Sequence, residues 1–297
     1  MTYSSDPPAT VPTPHLDTAS LLERYARGER DFRHLHLRHL DLQGKDLRGV
    51  DLRHSTLEDS NLAGATLVGA NLREARLVRV NFQGANLELA NLIGAHFRDS
   101  DLRQVNLAES GMRAVNLLRS NLTQATLTGA NLNEAICDQV NLSQAQITEA
   151  SLSRVKLLGA VLSQANLDRA NLTGALMHGA DLAGSSLVGA LLSGASLEGA
   201  NLANSDLSRA QMTATNLLNV NLEGANLRGT NLSWSSLQGA NLRGAMLYRT
   251  KLSWSNLTGA DLTNATLLNA KLDYTNLRQT HLGGTVLPDG FTLELGG

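Results

Sequence analysis

From Phe32 to Leu287 every fifth residue is apolar. The register runs unbroken for 52 positions, and 44 of them are Leu. The other eight are Phe32, Phe82, Phe97, Met112, Cys137, Ile147, Met177 and Met212, so no position is polar. A helix returns to one face about every 3.6 residues and a strand about every 2. Neither period gives five. The chain must therefore repeat a short bent unit that stacks on itself.

A second column sharpens the unit. The residue two before each central apolar one is Ala, Ser, Thr or Val at all 48 positions from Val50 to Thr285. Only Arg30, Leu35, Leu40 and Lys45 depart from this. One large and one small inward residue per five suits a narrow solenoid. The other three positions carry nearly all the charge and are expected to face solvent. Gly is frequent two residues after the Leu, as at Gly64, Gly69, Gly174 and Gly179. A turn there needs the backbone freedom that Gly has without a Cβ.

The residue just before the Leu sets the number of repeats per coil. Every twentieth residue from Asp41 to His281 is Asn or Asp in eleven of thirteen cases. The column offset by ten, starting at Asp31, has only seven. A twenty-residue frame, four pentapeptides per coil, accounts for that difference. It also predicts stacked amides bonding along the column.

The consensus Ala-(Asn/Asp)-Leu-x-x, as in Ala70-Asn71-Leu72-Arg73-Glu74, resembles the pentapeptide-repeat family over residues 30–289. The resemblance implies an all-β fold, a right-handed quadrilateral parallel β-helix of about 13 coils, roughly 62 Å long at the usual strand spacing. The ends resemble cyanobacterial members: Leu21 to Phe32 their N-terminal cap, and Leu287-Pro288-Asp289-Gly290 their C-terminal turn. The expected organisation is a Pro-rich disordered tail (1–16), a capping helix (17–29), the repeats (30–289) and a C-terminal cap or tail (290–297). Asp17 or Thr18 is placed to start that helix, Gly28 to end it, and Leu21, Leu22 and Tyr25 to share its apolar face. Phe291 and Leu293 are candidates to fold back over the last coil.

Composition now finds its place. Aromatics are 3% while hydrophobics are 42%, because a coil filled by Leu and Ala has little room for rings. One cysteine excludes an internal disulfide. No run of about 18 apolar residues predicts a membrane span, and the first residues lack the apolar core of a secretory signal. A soluble cytoplasmic protein is expected. The net charge of −2 argues against nucleic acid as the main partner.

Chemistry-bearing groups are sparse. No Ser-His-Asp grouping, P-loop or dinucleotide fingerprint occurs, and no insertion interrupts the register. The reading is of no catalytic residues, no cofactor and no metal. His34 and His54 stack in the twenty-residue frame, which suits exposed His better than a metal site. Cys137 occupies a Leu position and is expected to be a buried, inert thiol. Arg33, Arg53, Arg73 and Arg113 share a column broken by Ile93. It is a candidate basic strip for an anion or acidic partner, or a solvated face partly neutralised by Asp31 and Asp51. Trp234, Trp254 and Tyr274 are spaced by twenty, with Tyr248 on the neighbouring face. They are candidate partner-binding residues, and stacking that steadies the ladder fits the same spacing.

The function expected is a non-catalytic scaffold that presents flat faces to a protein partner, as a monomer or end-to-end dimer. The alternative implied by the resemblance is a topoisomerase-binding DNA mimic. An enzyme is the remaining alternative.

Overall fold

A computed structural model describes residues 16–289. Backbone pairing joins each residue just before a central apolar one to the residue twenty further on. The pairs are parallel and run from Asp31–Asp51 to Thr266–Val286 without a gap. Paired residues are thus four pentapeptides apart, the frame that the Asn/Asp column predicts.

One pentapeptide shows how the bonds close. Asn61 N–H donates to the Leu40 carbonyl (2.8 Å), and Leu42 N–H donates to the Asn61 carbonyl (2.7 Å). Gly44 N–H donates to the Ala63 carbonyl (2.8 Å), and Ala65 N–H closes the turn on the Leu62 carbonyl (3.0 Å). Each unit therefore spends its peptide groups on the coils either side and on its own corner, as a buried backbone requires.

The corner residue, two after the central one, has positive φ at every position from His34 to Gly284. Gly marks only some of these corners. Thirty-one carry a side chain, including Trp234 and Trp254, both at φ 63°. The long-range ladder imposes the left-handed conformation and overrides local preference there.

The central residues and their small partners form one continuous core, with nearly all of them from Phe32 to Leu267 buried. Phe82 and Phe97 fill adjacent Leu sites with ring centroids 5.6 Å apart. Buried hydroxyls in the small column find carbonyls. Ser55 Oγ donates to Phe32 (2.7 Å), Ser100 Oγ to Leu77 (2.6 Å) and Thr230 Oγ1 to Leu207 (2.7 Å). This is why Ser and Thr are admitted beside Ala, since a buried hydroxyl costs stability only when unpaired. No buried side-chain polar atom among the described residues lacks a partner.

The Asn column has a polarity. Asn81 Nδ2 donates to Asn61 Oδ1 (3.1 Å), and Asn61 Nδ2 donates to Asp41 Oδ1 (3.1 Å). Above Asn81 the described residues show no such bond through Asp101, Asn121 and Asn141, and the run restarts at Asp181, with Asn201, Asn221 and Asn241 each donating one step back. An ionised Asp accepts only, so it serves as a first rung.

Helix α1, Thr18–Ala26, packs on the N-terminal end. Asp17 caps it by accepting from Ser20 N–H (2.8 Å), and Gly28 follows at φ 93°. Leu21 is buried in the core, with Leu16, Leu22 and Tyr25 packed against it. Thr18 Oγ1 accepts from Asp41 N–H (3.1 Å), the donor that has no preceding coil to bond. The Tyr25 hydroxyl donates to the Arg48 carbonyl (3.0 Å). At the far end Leu277 and Leu282 are only partly buried and Val286 is exposed. Phe291 and Leu293, and nearly all of the expected tail 1–16, lie outside the described residues. No described helix is long and apolar enough to cross a membrane.

Candidate functional site

The outward residues divide into faces and corners. On the flat face the residue before the Leu points out, and at the corner the positive-φ residue does. Trp234, Trp254 and Tyr274 occupy one corner column and form a continuous stack. Trp234 and Trp254 are parallel within 1°, with centroids 5.0 Å apart. Trp254 and Tyr274 are 4.1 Å apart and tilted by 17°. The rings remain 60%, 49% and 75% exposed, so stacking covers both faces of Trp254 and one face each of Trp234 and Tyr274. Left-handed geometry costs a side chain about 1–2 kcal/mol, and an aromatic pair returns about 0.5–1.5 kcal/mol. Two pairs return about 1–3 kcal/mol, which offsets part of the cost at three corners. Among the described residues no acceptor reaches either indole N–H or the Tyr274 hydroxyl.

Tyr248 does not join this stack. It is half-buried, and the Arg249 guanidinium lies over its ring at 5.0 Å.

The candidate basic strip is paired throughout. Arg33 bonds Asp31 (2.6 Å) and Arg53 bonds Asp51 (2.7 Å). Arg73 pairs with Glu74 (3.0 Å) and Arg113 with Glu134 (3.1 Å). The guanidinium of Arg33 holds the Asp31 carboxyl down to about 2. Asp51 is lowered by Arg53 in the same way.

The same pattern fills the neighbouring columns. Arg79 spans one coil to Asp59 and Arg119 does so to Asp99, each at 2.7 Å. Glu58, 7% exposed, lies between Arg38 (2.8 Å) and Arg76 (3.0 Å). Among the described residues it is the one outward charged position that is buried. An open depression of about 470 Å³ beside it is lined by Arg76, Arg79, His96, Arg98 and Asp99 among others. Its carboxylates are held in ion pairs.

His34 and His54 stack at 4.9 Å, and His54 Nδ1 lies 3.3 Å from Glu74. No group of three His, Cys, Asp or Glu suited to a metal ion occurs among the described residues. Cys137 is buried, and burial pushes its thiol up to about 12.

Sequence reasoning missed one contrast. From residue 17 to 206 fifteen of the eighteen Lys and Arg are ion-paired. From residue 207 to 289 only Arg243 is, with Asp261. Net charge and column counts both conceal this, because seven of the fifteen cations meet a carboxylate of a neighbouring coil, 18 to 21 residues away, and the rest find one within five residues.

The family model described as "Pentapeptide repeats (8 copies)" matches overlapping stretches that together run from residue 31 to 287. Among solved structures the chain is similar to HetL, a pentapeptide repeat protein involved in heterocyst differentiation regulation, from the cyanobacterium Nostoc sp. strain PCC 7120. Identity is 28%, over 93% of this chain and 99% of that one, with a TM-score of 0.26. It is similar to alr5209, a pentapeptide repeat protein from the same organism, at 37% identity over 30% of this chain and 78% of that one, with a TM-score of 0.27. It also matches QnrB1, a plasmid-mediated fluoroquinolone resistance protein, at 20% identity over 69% and 90% of the two chains, with a TM-score of 0.35. No curated protein sequence matches the chain.

Proposed function

The chain belongs to the pentapeptide-repeat family, whose members form right-handed quadrilateral β-helices and are generally non-enzymatic scaffolds, and on that premise we propose that it is a non-catalytic scaffold for a protein partner. In this reading the 52 repeats make thirteen coils, with residues 17–29 closing the first. The partner seats on the corner that carries Trp234, Trp254 and Tyr274.

One observation carries the reading. Both tryptophans of the chain stand solvent-exposed on a single corner, in a backbone conformation that disfavours bulky side chains. Trp and Tyr are the residues most enriched where binding energy concentrates. The ion-paired carboxylates around the depression near Glu58 give it the character of a structural network.

The test is affinity capture from the native host with the wild type and with Trp234→Ala/Trp254→Ala. A partner held by the wild type and lost by the variant supports the assignment. Equal retention of every specific partner would make the column structural only.

A further inference from the structure

The flat face next to the aromatic corner carries Lys side chains that have no ion-pair partner among the described residues. Lys251 and Lys271 are paired residues of adjacent coils, so two Lys side chains leave the same column from backbones one layer apart. Both are exposed. In sequence Lys251 lies between consecutive corners, Arg249 on one and Trp254 on the other. None of Arg249, Lys251 and Lys271 has a carboxylate within ion-pair distance among the described residues. The carboxylate of Asp273, two residues after Lys271, accepts from the Ser253 hydroxyl (3.3 Å). Over residues 207–289 there are seven Lys or Arg against four Asp or Glu.

We propose that this surface binds an acidic, extended segment of a protein partner, its carboxylates on Lys251, Lys271 and Arg249 and its body against the Trp234–Trp254–Tyr274 edge. The inference rests on the scaffold reading and adds the chemistry of the partner. Two like charges kept adjacent repel, and an acidic ligand removes that repulsion on binding. The edge beside them offers indole N–H, indole N–H and phenol O–H groups, which are donors seeking acceptors. A carboxylate-rich strand supplies those acceptors.

Nucleic acid is the competing polyanion, and the stack disfavours it. Single strands are held by bases lying on open aromatic faces. Here Trp254 is covered on both sides, by Trp234 at 5.0 Å and by Tyr274 at 4.1 Å.

The site contains both tryptophans of the chain, so intrinsic emission reports on it directly. The probe is a fluorescein-labelled oligo-glutamate peptide added to the full chain, read by anisotropy and by Trp emission. An emission change is expected on binding, with affinity falling as salt screens the charges. Lys251→Glu/Lys271→Glu is expected to weaken binding at least tenfold, and Lys251→Gln/Lys271→Gln by less. Both side chains are exposed, and an unchanged thermal midpoint shows that each variant is folded. The proposal is overturned by an unchanged Trp emission, by equal affinity in the charge-reversed variant, or by tighter binding of an oligothymidylate than of the peptide. The corner interface itself fails only if Trp234→Ala/Trp254→Ala retains every specific partner. If Trp234→Ala/Trp254→Ala loses the native partner while Lys251→Glu/Lys271→Glu keeps it, the corner is an interface and the acidic assignment is wrong.

Discussion

Trp234 and Trp254, twenty residues apart in the chain, lie parallel to within 1° with ring centroids 5.0 Å apart. The rings hold that register because their backbones are already one coil apart. The Trp234 N–H donates to the Ser253 carbonyl (3.1 Å), and the Trp254 N–H donates to the Asp273 carbonyl (2.9 Å). Trp254 is the middle ring, so Trp254→Ala removes two aromatic contacts and is expected to cost about 1–3 kcal/mol. Trp254→Gly removes the same contacts but relieves the left-handed backbone, which returns about 1–2 kcal/mol. Urea unfolding should therefore rank the Gly variant above the Ala variant and close to wild type. A Gly variant less stable than Ala would mean that the corner carries no strain.

The amide column makes a charge-dependent prediction. Asn221 donates to Asn201 (3.0 Å), accepts from Asn241 (3.0 Å) and accepts from Glu223 N–H (3.2 Å). Asn221→Asp keeps both acceptor roles and loses the donor, leaving a carboxylate against the Asn201 oxygen. The expected loss at neutral pH is about 1–2 kcal/mol. Protonation restores a donor, so the folded state raises the new carboxyl's pKa. The variant is then closest to wild type below the unfolded carboxyl pKa of about 4, and its deficit grows as pH rises. A deficit that is constant from pH 4 to 7 would contradict the donor role.

Wild-type carboxyls behave in the opposite sense. Arg partners lower Asp31, Asp51, Asp59, Asp99 and Asp101. Their stabilisation is complete above the unfolded value of about 4 and is lost as pH falls toward the folded values, about 2 for Asp31. Glu29 and Glu134 are lowered as well, and among the lowered carboxyls only Asp261 lies beyond Glu134. Acid should therefore loosen the N-terminal coils first. Hydrogen exchange compared between pH 5 and pH 2.5, with intrinsic rates corrected, should show protection lost there before the C-terminal third. The reverse order would remove the ion pairs from the account.

The repeat, the inward columns and the twenty-residue pairing were all legible from residues such as Leu62, Ala65 and Asn61, because each performs the same task in every coil. Cys137 was legible for the same reason, since its position in the register placed it inside. The corners were less so. Gly64 announces a left-handed residue, while Trp234 and Arg79 adopt the same φ against their own preference, and only the completed ladder explains them. The charge pattern was hidden because Arg79 meets Asp59, and Lys251 meets Lys271, only after coiling. Arg33, Arg53, Arg73 and Arg113 form a column as expected, but each ends in an ion pair that its column spacing does not reveal.

Burial gives Cys137 a direct test. Its thiol sits in the core with its ionisation pushed up to about 12, and the thiolate is the reacting species. A disulfide reagent at pH 8 should label none of it in the native protein and all of it in denaturant. Native labelling as fast as that of a free thiol would show that the coils around residue 137 open readily.

The N-terminal end has the most to lose from a single change. Coils leave unpaired edges only at their termini, and open edges recruit other chains. Leu21 enters the core and Thr18 takes the Asp41 N–H, so α1 covers apolar surface at that edge and meets one of its free donors. Asp17→Ala removes the helix cap and should cost about 1 kcal/mol without changing the assembly state. Leu21→Ala should cost about 2–5 kcal/mol. Deleting residues 1–29 exposes Phe32 and Leu37 together with the Asp41 N–H, and concentration-dependent association should follow. Sedimentation of the deleted chain should show species heavier than the monomer, while the Asp17→Ala chain sediments like wild type. A stable monomer after the deletion would mean that α1 is an attachment to the solenoid and not its cap.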